Sequence, residues 1–222
     1  MLVSFCCDLQ NSCNGGGARL LSLPGSLARF IDEMRSIVCT NPLVEFEQVI
    51  DTIVGVYIDA TLGFDIYQSR LSEITKNSLP SARIFYGDGD PNDPTTIASH
   101  VAPISEVISR NTKTGNNFRF IGNMCLISIY QYWEDNYRAK IARLFQKDKN
   151  ALKEPIMGDI RLLRNSIIHH NAIAKKDVEN CTLLRWYTEG DEIFITKEQF
   201  HEIVNHVCAY IKRLKSEQVS MT

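Results

Sequence analysis

The sequence predicts a mainly α-helical protein, an up-and-down helical bundle with one small β-hairpin near the C-terminus. Apolar residues recur at three- and four-residue steps through most of the chain, which is the period of a helix that buries one face. The pattern changes to alternation only over residues 183–196, where turn-forming residues separate two short apolar runs. No internal repeat or linker divides the chain. We therefore predict a flexible N-terminal arm over residues 1–22, which lack periodicity, and a single domain over residues 23–222.

The helices follow from these apolar stripes, taken in chain order. They are expected over residues 26–38, 43–74, 96–109, 123–146, 154–171 and 197–215. Pro42 stands at the start of the second of these helices, and proline is tolerated in the first turn of a helix. The turn-forming residues of 86–95 predict a surface loop before the third helix. The hairpin is predicted to pair residues 183–187 with residues 192–196.

Composition excludes several classes of protein. The 222 residues are 44% apolar and 23% charged, as in ordinary globular chains, and no apolar run reaches the length of about 18 residues that a membrane span needs. The net charge of −2 excludes a polycation, so any nucleic-acid binding must use a local patch. Seven scattered cysteines without zinc-site spacing, and no signal peptide, favour the cytoplasm and predict neither a metal nor a cofactor.

The predicted helix over residues 154–171 carries the clearest chemical pattern. On a helical wheel Asn165 and His169 lie opposite the apolar stripe, Arg161 lies beside Asn165, and Arg164 lies on the flank. His170 projects toward the apolar side. An ordinary solvated helix face would also collect such residues, so the order and spacing of the residues must decide between the two interpretations.

That order, Arg164-Asn165-x3-His169, resembles the motif of the HEPN family: an arginine, often followed by a polar residue, then four to six residues and a histidine. The string LLRNSIIHHN resembles the usual form of the motif on a late helix of an α-helical bundle. The motif covers about a dozen residues, and the helix pattern supports the resemblance only in general terms. Spacings of five and six residues both occur in the family, so His169 and His170 are both candidates. We favour His169, because it shares a face with Asn165.

The resemblance implies a HEPN-like bundle and a metal-independent endoribonuclease that acts as a toxin or in defence. It also implies a homodimer in which two motif helices build one composite site, and a separate antitoxin is a candidate partner. The RNA 2′-hydroxyl would attack the adjacent phosphorus. An imidazole such as that of His169 exchanges protons near neutral pH, Arg164 would bind the developing phosphorane oxygens, and Asn165 would orient His169 or hold a phosphate oxygen. A non-catalytic HEPN-like module that binds nucleotide, RNA or a protein partner is the alternative.

Local charge is consistent with an RNA partner. Between residues 138 and 164 eight basic residues stand against three acidic ones, whereas residues 31–65 hold seven acidic residues and one arginine. Arg143, Lys153 and Arg161 are therefore the predicted RNA-binding residues. A helical surface with a chance asymmetry of charge is the alternative. Of the neighbouring aromatic residues, Tyr132 lies outside the predicted core stripe and is a candidate for base stacking.

Overall fold

The computed structural model describes residues 41–77, 82–91, 93 and 95–221, and most of them are helical. In chain order the elements are α1 (Pro42–Ile74), β1 (Arg83–Gly87), β2 (Ala98–Pro103), α2 (Ile104–Arg110), α3 (Asn116–Tyr132), α4 (Arg138–Leu144), α5 (Pro155–His169) and α6 (Lys197–Met221). A π-helical turn, Trp133–Tyr137, joins α3 to α4, and the short 3₁₀ turns are Thr75–Asn77, Lys149–Ala151 and Lys176–Asn180. The predicted arm over residues 1–22 and the predicted helix over residues 26–38 lie outside the described residues.

The helices predicted over residues 43–74, 154–171 and 197–215 are confirmed as α1, α5 and α6, and α6 extends to Met221. Asn41 caps α1, because its side-chain oxygen accepts the backbone N–H of Leu43 at 3.0 Å. Gly55 does not interrupt α1, since the stripe on both sides of it is buried.

In the described part of the chain, no helix is long and apolar enough to cross a membrane.

The main core lies between α1, α3, α5 and α6. Its largest buried side chains include Phe46, Tyr57, Leu126, Trp133, Ile160, Leu163 and Phe200. The rings of Tyr57 and Phe200 stack with centroids 4.1 Å apart. Burial of each such side chain contributes about 1.5–3 kcal/mol, so this contact fixes α6 against α1. A smaller cluster of Leu71, Ala102 and Val107 joins the end of α1 to β2 and α2.

The helix predicted over residues 96–109 is wrong in its first half. β2 pairs antiparallel with β1 there, with Phe85 opposite Val101, and α2 begins only at Ile104. Pro103 explains the difference, because a proline lacks the N–H of a helix interior and favours an extended residue before it. The small antiparallel sheet therefore lies in the first half of the chain.

The hairpin predicted near the C-terminus is also wrong. Residues 182–196 form no strand, although Leu184, Ile193 and Ile195 are buried in the alternating way that predicted one. The backbone of residues 190–193 pairs instead with residues 172–174, around an isolated bridge between Ile173 and Glu192, and side chains bind further backbone groups of the segment. The Asn123 amide donates to the carbonyl of Ile193 at 3.1 Å and accepts the N–H of Ile195 at 3.2 Å. An extended chain whose backbone groups bind side chains needs no second strand.

The helix predicted over residues 123–146 begins earlier and is not continuous. It begins at Asn116, after Gly115, and the π-helical turn Trp133–Tyr137 divides it into α3 and α4. A Cβ on Gly115 would lie 2.4 Å from the carbonyl oxygen of Ser109, so this close approach requires glycine. The π-helical turn inserts a residue into the helical register next to the polar side chains of the candidate site.

Candidate active site

Helix α5 carries the motif and is buried along one side. Its first residue is Pro155, a position that suits a residue without N–H, and Ile156, Ile160 and Leu163 enter the core as the helical wheel predicts. Ile167, the fourth residue of the predicted stripe, is only half-buried, since it lies in the last turn of α5. The opposite side, with Arg161 and His169, is exposed. The core contacts of α5 thus fix which of its side chains face solvent.

Two buried polar side chains of α5 hold the segments that follow it. The Asp159 carboxylate accepts the backbone N–H groups of Thr182, Leu183 and Leu184, at 2.9, 2.6 and 2.9 Å. Ser166 Oγ accepts the N–H of Lys175 at 3.2 Å. Sequence reasoning counted Asp159 only as one acidic residue of a basic region. Its role depends on contacts with residues more than twenty positions away, which no local pattern indicates.

Arg164 is half-buried and has no carboxylate partner among the described residues. Its Nη1 donates to Oδ1 of Asn165 at 3.2 Å, and its Nη2 donates to Oε1 of Gln131 at 3.3 Å. The Nε atom is buried and has no hydrogen-bond partner among the described residues. A charged group in such surroundings normally has a counter-ion, because removing it from water costs free energy. Arg164 is therefore held in place by two neutral amides and keeps an unneutralised charge.

Gln131 and Asp135 belong to this arrangement, although sequence reasoning did not select them. They lie one turn apart at the junction of α3 and the π-helical turn, and the Gln131 amide donates to the Asp135 carboxylate. Asp135 thus orients Gln131, which in turn orients Arg164. The only signal in the sequence is the four-residue spacing of two polar residues on a largely apolar helix. Such a spacing is common on exposed helix faces.

His169 is exposed in the last turn of α5 and His170 is exposed directly after it. The expectation that His170 leans toward the apolar side is wrong, because the helix ends at His169 and the backbone of His170 leaves helical geometry, with φ −134°. Asn171 and Ala172 then adopt left-handed conformations with φ 51° and 62°. Neither imidazole has a hydrogen-bond partner in the described part of the chain. Asn165 contacts Arg164 and not His169.

The predicted RNA-binding residues Lys153 and Arg161 line one groove with Asn165. This groove has a volume of about 710 Å³ and lies between α5 and the 3₁₀ turn Lys176–Asn180. Arg143 is exposed on α4 and does not line the groove. None of the three cations has an ion-pair partner among the described residues, although several cations elsewhere do.

The cations near α5 are of two kinds: some form ion pairs with a carboxylate, and others have no such pair among the described residues. Glu134 binds Arg138 and Lys149, each at 2.8 Å. Burial opposes ionisation of Glu134, but the hydrogen bonds from these two side chains lower its pKa. Burial raises the pKa of the nearby Tyr130, and the Glu134 charge adds to this, while Arg161, Arg138 and Arg164 oppose it. Arg138, Arg161 and Arg164 therefore all lie close enough to Tyr130 to lower its pKa, and of these three only Arg138 is paired with a carboxylate among the described residues.

The aromatic residues of this region divide as their spacing predicts. Trp133 is buried, Tyr130 and Tyr137 are half-buried against the core, and Tyr132 is 44% exposed. Tyr132 lines an apolar groove between α1 and α3, away from the groove that holds Lys153 and Arg161.

Among the described residues, no group of three or more His, Cys, Asp or Glu side chains is arranged to hold a metal ion.

An apolar face lies next to Arg164. Phe120 and Met124 of α3 and Ile168 of α5 are 67%, 38% and 43% exposed, around a groove of about 420 Å³. Phe120, Met124 and Gln131 follow the same side of α3 at helical spacing, so this face continues into the contact between Gln131 and Arg164. Exposed apolar patches of this kind are typical of interaction surfaces.

Comparison of the chain with protein-family models, with curated proteins and with solved structures found no match. Inferences about its activity therefore depend on the side chains of α5 and their surroundings. The chain brings together Arg164, Asn165 and Gln131, and separately Lys153, Arg161 and Asn165. Arg164 and His169 form no hydrogen bond with each other.

Proposed function

We propose that the protein is a metal-independent endoribonuclease of the HEPN type. The observation that carries the proposal is Arg164, a half-buried guanidinium without a counter-ion in the described part of the chain, on the same helix as an exposed imidazole and in the order Arg164-Asn165-x3-His169. A fixed, unneutralised guanidinium is suited to a phosphate, because it offers a fork of charged donors to the oxygens. A role as a toxin or in defence follows from the resemblance alone.

The chemistry needs one nucleophile, which the substrate itself supplies. The RNA 2′-oxygen forms a bond to the adjacent phosphorus while the bond from phosphorus to the 5′-oxygen breaks. An imidazole accepts the proton of the 2′-hydroxyl, and a protonated group donates to the leaving 5′-oxygen. Arg164 stabilises the charge that develops on the non-bridging oxygens. The products are a 2′,3′-cyclic phosphate and a 5′-hydroxyl.

The proposal requires a dimer. In one chain Arg164 is directed at Gln131 of α3, while His169 faces solvent at the end of α5, so the two do not converge. A twofold axis that pairs two motif helices would bring an imidazole of one chain to the guanidinium of the other, and it would supply two imidazoles, one to accept and one to donate a proton. The exposed apolar face of Phe120, Met124 and Ile168 is the surface that we assign to this contact.

The test is cleavage of a labelled RNA in EDTA by the wild type and by Arg164→Ala and His169→Ala. Loss of a general acid–base group or of a fixed cation costs about 10²-fold or more in rate, so we expect a loss of that size in both variants. Arg70→Ala and His201→Ala, at exposed positions on α1 and α6, are the matched controls. The products should carry a cyclic phosphate, which an end-group assay detects.

The histidine assignment is tested in the same assay. His170→Ala should retain most of the activity if His169 is the reacting imidazole, and the reverse result would transfer the role to His170. Undiminished cleavage by Arg164→Ala and His169→Ala would contradict the proposed site. RNA binding without cleavage, insensitive to His169→Ala, would instead support the non-catalytic module.

A further inference from the structure

We propose that a groove between the middle of α1 and the start of α6 binds a small, uncharged aromatic molecule. The groove has a volume of about 510 Å³, a size typical of sites for small molecules. Its other walls are the start of α3, the loop before α3 and the segment before α6. No residue of α5 lines this groove, so it is separate from the candidate active site and goes beyond the proposed action on RNA.

The hydroxyl of Tyr57 is the observation that points to a ligand. Tyr57 lines the groove, is only 2% exposed and stacks its ring on that of Phe200. Its hydroxyl forms no hydrogen bond with the described residues, and the neighbouring hydroxyl of Thr61 donates instead to the backbone carbonyl of Tyr57 at 2.9 Å. A phenylalanine would form the same stack without burying an unpaired polar group, which costs free energy. A ligand with a hydrogen-bonding atom would give this hydroxyl a partner.

The hydroxyl of Tyr57 lies near the first turn of α6. Burial raises its pKa to about 12, and the neighbouring Cys125 and Glu198 add to this effect. Glu198 lines the groove, and hydrogen bonds from its own N–H and from the hydroxyl of Thr196 lower the pKa of its carboxyl group. Glu198 is therefore held at the start of α6, and Tyr57 remains protonated at neutral pH, with a proton that it can donate to a ligand.

Most of the remaining surface of the groove is apolar. Phe118 and Ile195 are buried at its floor, whereas Ile58 and Leu62 of α1 are 47% and 56% exposed along one wall. Apolar side chains that stay exposed beside buried aromatic rings are stabilised when an apolar ligand removes them from water. An aromatic ring suits this surface, since it packs on other rings face to face or edge to face.

One wall of the groove is preorganised. Asn123 binds the backbone of Ile193 and Ile195 at 3.1 and 3.2 Å, which fixes the segment before α6. Thr196 and Gln199 then cap α6 reciprocally, each accepting the backbone N–H of the other with its side-chain oxygen, at 3.0 and 3.2 Å. A ligand that binds to a fixed wall loses less free energy in ordering the protein.

Charges at the rim of the groove favour an uncharged ligand. Lys113 and Lys197 stand against Asp65 and Glu198, and neither lysine has an ion-pair partner among the described residues. The exposed His201 is the other titratable side chain of the rim. Two cations and two carboxylates around one opening attract neither an anion nor a cation selectively, because each ion meets charges of its own sign. A nucleotide, with its phosphate charges, is therefore disfavoured.

Three molecules of the same shape test the class of ligand on the full chain. Benzamide is uncharged, benzoate is an anion and benzamidine is a cation. We expect benzamide to bind with a Kd in the millimolar range, as is usual for a ligand of so few atoms, and severalfold more tightly than either ion. Shifts of the backbone amide signals in an NMR titration measure all three. Absence of benzamide binding, or tighter binding of benzoate or benzamidine, would overturn the proposal.

Tyr57→Phe tests the hydroxyl and keeps the stack on Phe200. We expect the affinity for benzamide to fall about two- to tenfold, the value of one hydrogen bond, while the free energy of unfolding does not decrease. Tyr210→Phe is the matched control, because the hydroxyl of Tyr210 is also buried without a partner among the described residues but does not line the groove. Equal affinity of wild type and Tyr57→Phe would show that the hydroxyl is not part of a binding site.

Leu62→Trp tests the position of the ligand by narrowing the groove. Ile66→Trp, one turn further along α1, makes the same kind of change outside the groove. Both positions are more than half exposed, so both variants should fold. We expect benzamide to bind severalfold more weakly to Leu62→Trp and as in wild type to Ile66→Trp, and equal affinities would contradict this position. None of these measurements uses RNA, so they hold whether or not the protein cleaves it.

Discussion

At the scale of single residues, the unneutralised charge of Arg164 is a cost to the fold that the candidate site explains. Its Nε is buried without a partner and its other contacts are amide oxygens of Asn165 and Gln131. A carboxylate at either position would neutralise the guanidinium and would also compete with a phosphate. At position 165 selection for stability alone would favour such a carboxylate, whereas selection for anion binding would exclude it.

Gln131→Glu tests this interpretation directly. The new carboxylate would lie within reach of Arg164 Nη2, but it would also replace the hydrogen bond from Gln131 to Asp135 with repulsion between two carboxylates, so we expect the free energy of unfolding to change by less than about 1 kcal/mol. We expect RNA cleavage to fall at least about tenfold, which corresponds to about 1.4 kcal/mol of transition-state stabilisation. Urea unfolding and initial cleavage rates measure the two effects. Gln48→Glu, at an exposed position on α1, adds the same charge elsewhere, and equal cleavage by both variants would contradict the role of Gln131.

Sequence order indicated part of this site. Arg164, Asn165 and His169 follow one another on one helix, so their spacing alone selected them as candidates. Gln131 lies 33 positions from Arg164, and Asp159 acts on residues 23 to 25 positions later. Such contacts depend on how α3 and the segment after α5 pack, which a pattern along the chain does not specify. His170 is exposed because α5 ends at His169. The helical wheel assumed that the helix continues through His170 and therefore placed it on the apolar side.

At the scale of elements, the period of the apolar residues correctly predicted the helices that bury a continuous apolar stripe. It predicted the wrong structure where an extended segment has no neighbouring strand as its hydrogen-bond partner. α1, α5 and α6 each present such a stripe to one core. The alternation over residues 183–196 came from an extended segment that is buried on alternate residues but is bonded to Asn123, to Asp159 and to the backbone of residues 172–174. Pro103 was a visible signal against a helix, and the strand before it could have been predicted.

Two glycines within helices should respond in opposite ways to the same substitution. A Cβ on Gly55 in α1 meets no atom within 4 Å, so Gly55→Ala should stabilise the protein by about 0.5–1 kcal/mol, because alanine loses less backbone entropy. A Cβ on Gly122 in α3 would lie 2.4 Å from the carbonyl oxygen of Ile195, so Gly122→Ala should destabilise it by about 1–3 kcal/mol. Urea unfolding with an unchanged m-value measures both. Equal effects would contradict the close approach of α3 to the segment before α6.

Glu134 should make the junction of the π-helical turn and α4 sensitive to acid. Its pKa is lowered in the folded protein by Arg138 and Lys149, so its contribution is present above the unfolded pKa of about 4.3 and is lost as pH falls through the lower folded value. We expect wild type to exceed Glu134→Gln by up to about 1 kcal/mol at neutral pH, discounted for solvent, with the difference disappearing in acid. Urea unfolding across this pH range measures it. A difference between wild type and Glu134→Gln that stays constant as the pH falls would contradict this role of Glu134.

At the scale of the whole molecule, a net charge of −2 conceals an uneven distribution. Glu45 and Glu47 of the acidic α1 are paired with Lys140 and Lys215, which ties α1 to α4 and α6. Arg143, Lys153 and Arg161 have no such pair in the described part of the chain. The fold thus uses some of its cations to join helices and leaves others, Lys153 and Arg161 beside α5 and Arg143 on α4, without an ion pair among the described residues.

The composite site makes a prediction that a site within one chain does not. Arg164→Ala and His169→Ala should each be inactive alone, but a mixed dimer retains one guanidinium and one imidazole that can meet across the twofold axis. After the two variants are unfolded together and refolded, we expect cleavage at least about tenfold above either variant alone, since each loss costs about 10²-fold. Refolding of Arg164→Ala with a second, differently tagged copy of itself is the control and should recover nothing. If native mass spectrometry shows mixed dimers and cleavage does not recover, both groups act within one chain, and the dimer cannot be the reason that Arg164 and His169 are directed apart.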